Sequence, residues 1–281
     1  MVALSDHLTE RASESDPSHV RWLNQNLTRV KTDRKGLVPL LEAVYDLKGG
    51  TIKQWVKRTF IRKFYGKKPH PFVVALQHPS RTVLLGYVVE HQHFLRQWVR
   101  SCAYIMARTN ERKVILYELD NLNTEFGGLG PERIAHYELL LRMGESLGVD
   151  RARVLATPPL PATRRAIEEW NRIASQEPWV EALVAMHSLE LIANRNLVHE
   201  GATVRYFDPV ILDGSEITDS AKAFLREGYE ADVTHSDEAL DLVTEFAGDL
   251  VEDVQSTLFR SIDLFDDYLL ARLERADDFE A

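Results

Sequence analysis

The sequence has a single cysteine, Cys102, and no long apolar run. One cysteine can form neither an intramolecular disulfide nor a cysteine-based zinc site, and this fits a reducing compartment. No segment of about 18 apolar residues occurs, so we expect no transmembrane helix. The polar N-terminal stretch lacks the apolar core of a secretory signal. Together these absences predict a cytoplasmic protein that does not act at a membrane.

Basic residues are in the minority, because 34 Lys and Arg stand against 43 Asp and Glu, giving a net charge of −9. Binding to nucleic-acid phosphates needs clustered cations, so we expect no nucleic-acid partner. Hydrophobic residues make up 44% of the chain and charged residues 27%, which is ordinary for a globular protein. This composition excludes a wholly disordered or a collagen-like chain.

Glycine and proline are few, with 14 and 11 among 281 residues, and they fall between long periodic segments. Strand signals are nearly absent. The pattern predicts an all-α protein with one domain at 51–281, preceded by a helical extension at 1–50. The predicted helices are 17–32, 36–47, 51–64, 80–108, 111–126, 131–147, 162–175, 178–205, 216–246 and 249–275.

Candidate functional residues are polar side chains on faces that should be apolar. Glu190 falls on such a face of the helix 178–205, with His187 and Asn194 beside it. A buried carboxylate is costly unless it meets a cation, a metal or hydrogen-bond donors. Glu190 therefore predicts either a functional site or a carboxylate satisfied by a structural partner.

Two further helices carry carboxylates and histidines at spacings that place them on one face. Asp232 and His235 form a D-x-x-H arrangement, and Gly228 lies one turn earlier. Glu90 and His93 form an E-x-x-H, a spacing that di-iron bundles use. The alternative for Glu90 and His93 is a polar patch beside aromatic residues.

A fourth group lies around the Gly-rich turn at 127–131. Glu118, Asn121 and Glu125 form a polar stripe on the helix before the turn, and His136 follows it. Glu125 lies near a helix C-terminus, where the dipole disfavours an anion, so we expect a cation nearby. Glu125 and His136 could meet across the turn.

Taken together, these segments resemble the haem-oxygenase-like helical enzymes, which include TenA/PqqC-like proteins, CADD-like proteins and the haem-oxygenase-like di-iron oxidases. The resemblance rests on the order of the segments and on their local patterns across about 80–250. The matching segments are DNLNTEFGG (120–128), HYELLLRMGESLG (136–148), AMHSLELIANRN (185–196) and FLREGYEADVTHSDEAL (224–240).

The resemblance implies a haem-oxygenase-like bundle in which Glu125, His136, Glu190, Asp232 and His235 are iron ligands. The chain departs from the family's H-x-x-x-D-x-x-H helix at its first histidine, where Gly228 stands. Three outcomes therefore remain open. The site could hold one iron, it could hold two irons with another residue completing the second site, or it could hold no metal. Three further residues are candidates either for additional metal ligands or for side chains that support the ligands: Glu90, His93 and His187.

The predicted function is a non-haem iron-dependent oxidase or oxygenase that uses Fe(II), as one or two ions, and dioxygen on a small carboxylate- or amine-bearing substrate. Arg96, Arg100 and the basic segment 53–68 are candidate partners for a substrate carboxylate. Cys102 is interpreted as a core thiol. The alternatives are a metal-free TenA/PqqC-like enzyme and an interaction protein that retains the fold. The resemblance also implies a homodimer.

Overall fold

The computed structural model describes residues 45–127 and 134–280, and for residues 230–233 it describes the backbone alone. Those residues form helices and loops, and no strand occurs among them. The α-helices are α1 (Ile52–Phe64), α2 (Pro71–Ala75), α3 (Arg81–Arg108), α4 (Arg112–Leu122), α5 (His136–Ser146), α6 (Arg151–Ala156), α7 (Pro161–Gln176), α8 (Trp179–His187), α9 (Asp219–Phe246) and α10 (Val251–Ala276).

The boundaries follow ordinary capping chemistry. The Thr51 hydroxyl accepts from the Gln54 amide and the Gln54 side chain returns to Thr51, which is a capping box at the start of α1. Ser80 and Thr218 cap α3 and α9 in the same way through their hydroxyls. The all-α prediction is therefore confirmed, and Thr218 marks the start of α9.

The predicted continuous helix 178–205 is wrong. The α-helix ends at His187, and two 3₁₀ segments follow, Ser188–Ile192 and Arg195–Glu200. Between them, the Asn194 side chain accepts from the Asn196 amide, so an asparagine caps a new segment where the periodic pattern suggested continuation. Glu190 therefore lies on a tight 3₁₀ turn.

Other differences are smaller. The helix predicted at 111–126 ends as an α-helix at Leu122 and continues as one π-helical turn, Asn123–Gly127. The short helices α2 and α6 were not predicted. The helices predicted at 17–32 and 36–47 lie outside the described residues, apart from 45–47.

The two long helices α3 and α10 pack side by side through the middle of the bundle, with α7 against both and α8 against α10. α9 packs on α5 and α8. A Cβ added at Gly86 of α3 would collide with the Arg272 carbonyl oxygen of α10 and lie 2.9 Å from the Ala276 nitrogen. Gly86 thus allows the two backbones to touch. No helix of the described chain combines the length and hydropathy needed to cross a bilayer.

The basic residues of the segment 53–68 that are most buried are paired within the molecule. Lys53 contacts Asp241 at 2.9 Å, Lys57 contacts Glu200 at 2.7 Å, and Lys63 lies 3.0 Å from Asp266. These ion pairs join α1 to α9, to α10 and to the 3₁₀ segment Arg195–Glu200. Much of the positive charge of this segment therefore holds α1 against its neighbours.

We predict that Gly86→Ala lowers the free energy of unfolding by about 1–3 kcal/mol, because backbone atoms cannot move aside as a flexible side chain would. This loss is what remains after the gain of about 1 kcal/mol from the better helix propensity of alanine. Urea unfolding followed by circular dichroism measures it. Gly214→Ala is the matched control, since its Cβ would meet nothing closer than 3.6 Å. Equal stability of the Gly86→Ala variant and the parent would contradict the close contact.

A second prediction concerns Asp266. Burial alone would raise the pKa of Asp266, but bonds from His70 and Lys63 outweigh it and hold that pKa below its usual value. Because the pKa is lower in the folded chain than the value of about 3.9 in the unfolded chain, the ionised carboxylate stabilises the fold at pH values above about 3.9. That stability is lost as the pH falls through the pKa of the folded chain. Asp266→Asn should therefore destabilise at pH 7, and its deficit against the parent should shrink as pH falls below about 4.

Thermal unfolding of parent and variant between pH 3 and pH 7 measures this difference. Asp267→Asn is the control, because its contact with Arg165 is exposed and 3.7 Å long. A deficit of Asp266→Asn that does not change with pH would show that the carboxylate charge is not the cause.

Candidate functional site

A cavity lies inside the bundle between α3, α9 and α10 and the 3₁₀ turn Ser188–Ile192. Its volume is about 50 Å³, several times the space of about 10–15 Å³ that one water requires. Most of its wall is aromatic or aliphatic. Polar groups line it at two places: one is formed by Glu125, His136 and Glu190, and the other contains His91 and Arg272.

Glu125 and His136 are brought together by local backbone geometry. Glu125 lies on the π-helical turn after α4, and His136 is the first residue of α5. The His136 Nδ1 lies 3.1 Å from the nearer Glu125 oxygen, and its ring stacks on Phe224 with centroids 4.4 Å apart. Burial alone would lower the pKa of His136, but the Glu125 carboxylate outweighs it and raises that pKa. The His136 Nε2 is buried and has no hydrogen-bond partner in the described chain.

Glu190 connects the cavity to a deeper polar group. Its Oε1 lies 3.5 Å from His187 Nδ1, while its Oε2 is buried without a hydrogen-bond partner among the described residues. His187 Nε2 lies 3.0 Å from Glu118, and the Tyr117 hydroxyl is 2.8 Å from His187 Nδ1. Burial alone would lower the pKa of His187, but Glu118 and Glu190 raise it to about 10. His187 is therefore an imidazolium between two carboxylates.

Cys102, Glu118 and His187 form a second group behind Glu190. One ligand-type atom from each lies within 4.8 Å of the others, and within the described ranges these residues have the spacing of a metal-binding triad. Cys102 is almost fully buried, and burial followed by the nearby Glu118 raises the pKa of its thiol well above the usual value. One Glu118 oxygen also has no hydrogen-bond partner there. Thiolate, imidazole and carboxylate together could hold a transition metal.

The other polar part of the cavity surrounds Arg272 on α10. This guanidinium is 2% exposed and donates to the hydroxyls of Tyr268 and Tyr206 at 2.7 and 3.1 Å. It also lies 2.9 Å from His91 Nδ1 and stacks over the ring of Tyr87. Burial and then the charge of Arg272 lower the pKa of His91 well below its usual value, so His91 is neutral.

The D-x-x-H residues lie differently from the other predicted ligands. Gly228 lines the cavity. The Asp232 side chain lies outside the described residues, so its role stays a prediction. His235 does not line the cavity: its Nε2 is 3.5 Å from Asp120, and its carbonyl oxygen accepts from the Tyr117 hydroxyl. The structure thus places Glu125, His136 and Glu190 on the wall of one cavity, with His187 beside Glu190, and leaves His235 off that wall.

The remaining candidates lie away from the cavity. Glu90 is paired with Arg275 at 2.7 Å and accepts from the Leu160 amide. His93 lies 3.0 Å from the Thr157 carbonyl oxygen, and burial lowers its pKa to about 4. Arg96 and Arg100 are exposed on α3 and do not line the cavity.

Two parts of the site were missed by sequence reasoning. Arg272 follows Tyr268 by one turn on an otherwise apolar face of α10, which is the same signal that singled out Glu190. Cys102 was interpreted as a core thiol, and it is buried, but its proximity to Glu118 and His187 depends on the packing of α3, α4 and α8. No local spacing indicates that contact.

The fold and the cavity define an all-α bundle with a buried carboxylate–histidine site. Residues 55–276 match the model of the TENA/THI-4/PQQC family. The chain therefore belongs to this family, which includes enzymes. No curated protein matches the chain.

Solved structures agree with this assignment of the fold. A domain of unknown function with a haem oxygenase-like fold from Shewanella denitrificans has a TM-score of 0.59 at 17% identity, covering 89% of this chain and 96% of that one. A TenA homologue from Pseudomonas syringae has a TM-score of 0.58 at 13% identity, covering 78% and 88%. A CADD-like protein of unknown function from Nostoc punctiforme has a TM-score of 0.53 at 15% identity, covering 87% and 97%.

We predict that the thiol of Cys102 does not react with an aromatic disulfide reagent in the folded protein at pH 8. Burial blocks access, and its raised pKa keeps the sulfur protonated. The single cysteine makes the absorbance change unambiguous. Protein unfolded in guanidinium is the control and should react fully within minutes. Rapid reaction of the folded protein would show that the Cys102 group is open to solvent.

Proposed function

We propose that the protein is a non-haem iron-dependent oxidase or oxygenase that uses dioxygen on a small substrate held in the cavity. The observation that carries the proposal is the buried set of Glu125, His136 and Glu190 on one part of an otherwise apolar wall. Mixed carboxylate and imidazole ligands suit ferrous iron. An apolar surrounding suits oxidation chemistry, since it keeps bulk water from reactive species.

Unpartnered buried atoms on this wall favour a bound cation. His136 Nε2 and Glu190 Oε2 are both buried without a hydrogen-bond partner in the described part of the chain, and an unsatisfied buried polar atom is costly. Within the described residues, the ion-pair partners of Glu125 and Glu190 are histidines, whereas a purely structural carboxylate would be expected to meet Lys or Arg. This favours the enzyme over the interaction protein that merely retains the fold.

We propose one iron. Glu125, His136 and Glu190 would hold it, with Asp232 as a further predicted ligand. Gly228 offers no ligand atom, and His235 faces Asp120, which favours one iron over two at this wall. Bound ferrous iron would supply the activation of dioxygen.

The protein's own residues orient and protect this site. Glu125 pairs with the His136 ring through Nδ1, and binding of iron by both residues would replace this pairing. The protonated His187 holds Glu190 in place and lowers the net negative charge of the group. Phe224 covers one face of the His136 ring and excludes water from it.

The metal-free alternative has an observation of its own. Gly228 stands on the cavity wall where the family pattern has a histidine, and His235 lies outside the cavity. In such an enzyme Glu190 would act as an acid or base, and His187 would exchange the proton with it. Metal content separates the two functions.

We predict that protein reconstituted with ferrous iron under nitrogen retains about one iron per chain after desalting. Glu190→Gln and His136→Gln should each reduce the retained iron by about tenfold or more, because each removes a ligand atom. His93→Gln is the matched control, since its side chain lies away from the cavity. Iron is measured by plasma emission spectrometry.

A parent protein that retains no iron would overturn the oxidase and favour the metal-free enzyme. Cys102→Ser locates the metal. If Cys102→Ser loses iron and His136→Gln keeps it, the metal is held by Cys102, Glu118 and His187, and the proposed site is wrong.

A further inference from the structure

We propose that Arg272 is the anchor for the carboxylate of the substrate, and that the substrate is a short monocarboxylate with an apolar body. This rests on the proposed function only in taking the cavity as the active site. Arg96 and Arg100, the candidates expected from the sequence, are exposed outside it. Arg272 instead lines the cavity from α10 and is almost completely buried.

Among the described residues, Arg272 differs from the other buried cations in having no carboxylate partner. Arg275, one turn further along α10, contacts Glu90 at 2.7 Å, and Lys57 contacts Glu200 and Asp237 at 2.7 and 2.8 Å. The hydrogen-bond partners of Arg272 in the described chain are two tyrosine hydroxyls and one imidazole nitrogen. None of these groups carries a negative charge.

A buried charge without a counter-ion is costly. Cation–π contacts with Tyr87 at 4.1 Å and Tyr268 at 4.5 Å offset part of that cost. The Nε atom of Arg272 still has no hydrogen-bond partner among the described residues. A planar guanidinium with donors to spare at a cavity wall is suited to a carboxylate.

The two polar parts of the cavity define the shape of the ligand. His91 lies between them, because its Nδ1 is 2.9 Å from Arg272 and its ring centroid is 6.4 Å from that of His136. The wall around these groups is apolar and includes Phe94, Phe224 and Phe265. A ligand with its carboxylate on Arg272 would therefore present its apolar body towards His136 and Glu190.

The same geometry disfavours two other ligand classes. A second carboxylate on the substrate would approach the carboxyl groups of Glu125 and Glu190, which would repel it. A phosphate ester carries more charge than one guanidinium balances, and no further Lys or Arg lines the cavity in the described chain. A single carboxylate matches the one arginine on the described wall.

Binding of matched small probes tests the anchor without depending on turnover. The probes are hexanoate and hexanamide, which share an apolar body and differ in charge, and binding is measured by calorimetry. We expect the parent to bind hexanoate about tenfold or more tightly than hexanamide, as hydrogen bonds to charged groups imply. Arg272→Gln should lose this preference, and Arg272→Lys should keep part of it.

Arg275→Gln is the matched control, because it removes an arginine of the same helix whose partner is Glu90 and should keep the preference. Ala193→Leu fills the cavity without touching a charge and should weaken both probes. If Arg272→Gln does not fold, the Ala193→Leu variant still shows whether the probes bind in the cavity. Equal binding of the two probes by the parent, unchanged preference in Arg272→Gln, or unchanged binding by Ala193→Leu would overturn the proposal.

Inorganic phosphate is the competitor that distinguishes a carboxylate site from a general anion site. Phosphate that displaces hexanoate at equal concentration would overturn the assignment to carboxylates. Repeating the titrations after treatment with a chelator separates this proposal from the oxidase. If the parent retains no iron but prefers hexanoate through Arg272, the anchor stands and the oxidase is wrong. If the parent retains iron but has no preference for hexanoate, the oxidase stands and the anchor is wrong.

Discussion

The cost of burying charge governs the centre of this molecule. Glu118, Glu125 and Glu190 are each less than a tenth exposed, and an unpaired carboxylate in such a place would destabilise the fold. Histidines neutralise them, because His187 bridges Glu118 and Glu190 and His136 pairs with Glu125. Unlike a guanidinium, an imidazolium readily gives up its proton to become a metal ligand, so the same residues can stabilise the fold and also hold a metal.

The contact between α3 and α10 determines where the opposite charge lies. Because Gly86 lets the two backbones touch, α10 places Arg272 beside the Tyr87 ring and His91 of α3. One turn further on, the same contact pairs Arg275 with Glu90. Two arginines of one helix therefore have different roles: Arg275 joins the helices, and Arg272 leaves a charge at the cavity. The difference depends only on whether α3 offers a carboxylate at that level.

The helical class, most helix boundaries and the identity of three cavity residues could be predicted from the sequence, since each depends on local pattern. Apolar periodicity specifies α3, α7, α9 and α10, and side-chain caps begin α3 and α9. What failed depends on chain geometry that periodicity does not encode. The 3₁₀ turn at Glu190 and the π-helical turn at Glu125 both replace expected α-helix and redirect those carboxylates. The exposed positions of Arg96 and Arg100, and the meeting of Cys102 with Glu118, depend on which helix face the packing covers.

These irregular turns have a physical reason. A straight α-helix presents a residue to its neighbour only every three or four positions, so two long helices bring few polar groups to one point. The π-helical turn shifts Glu125 out of the register of α4 and toward His136, and the tight 3₁₀ turn places Glu190 within reach of His187. Departures from ideal helix occur here at the two segments that carry the cavity carboxylates. The long helices keep regular α-helical hydrogen bonding, and these two turns depart from it where the cavity carboxylates meet their histidines.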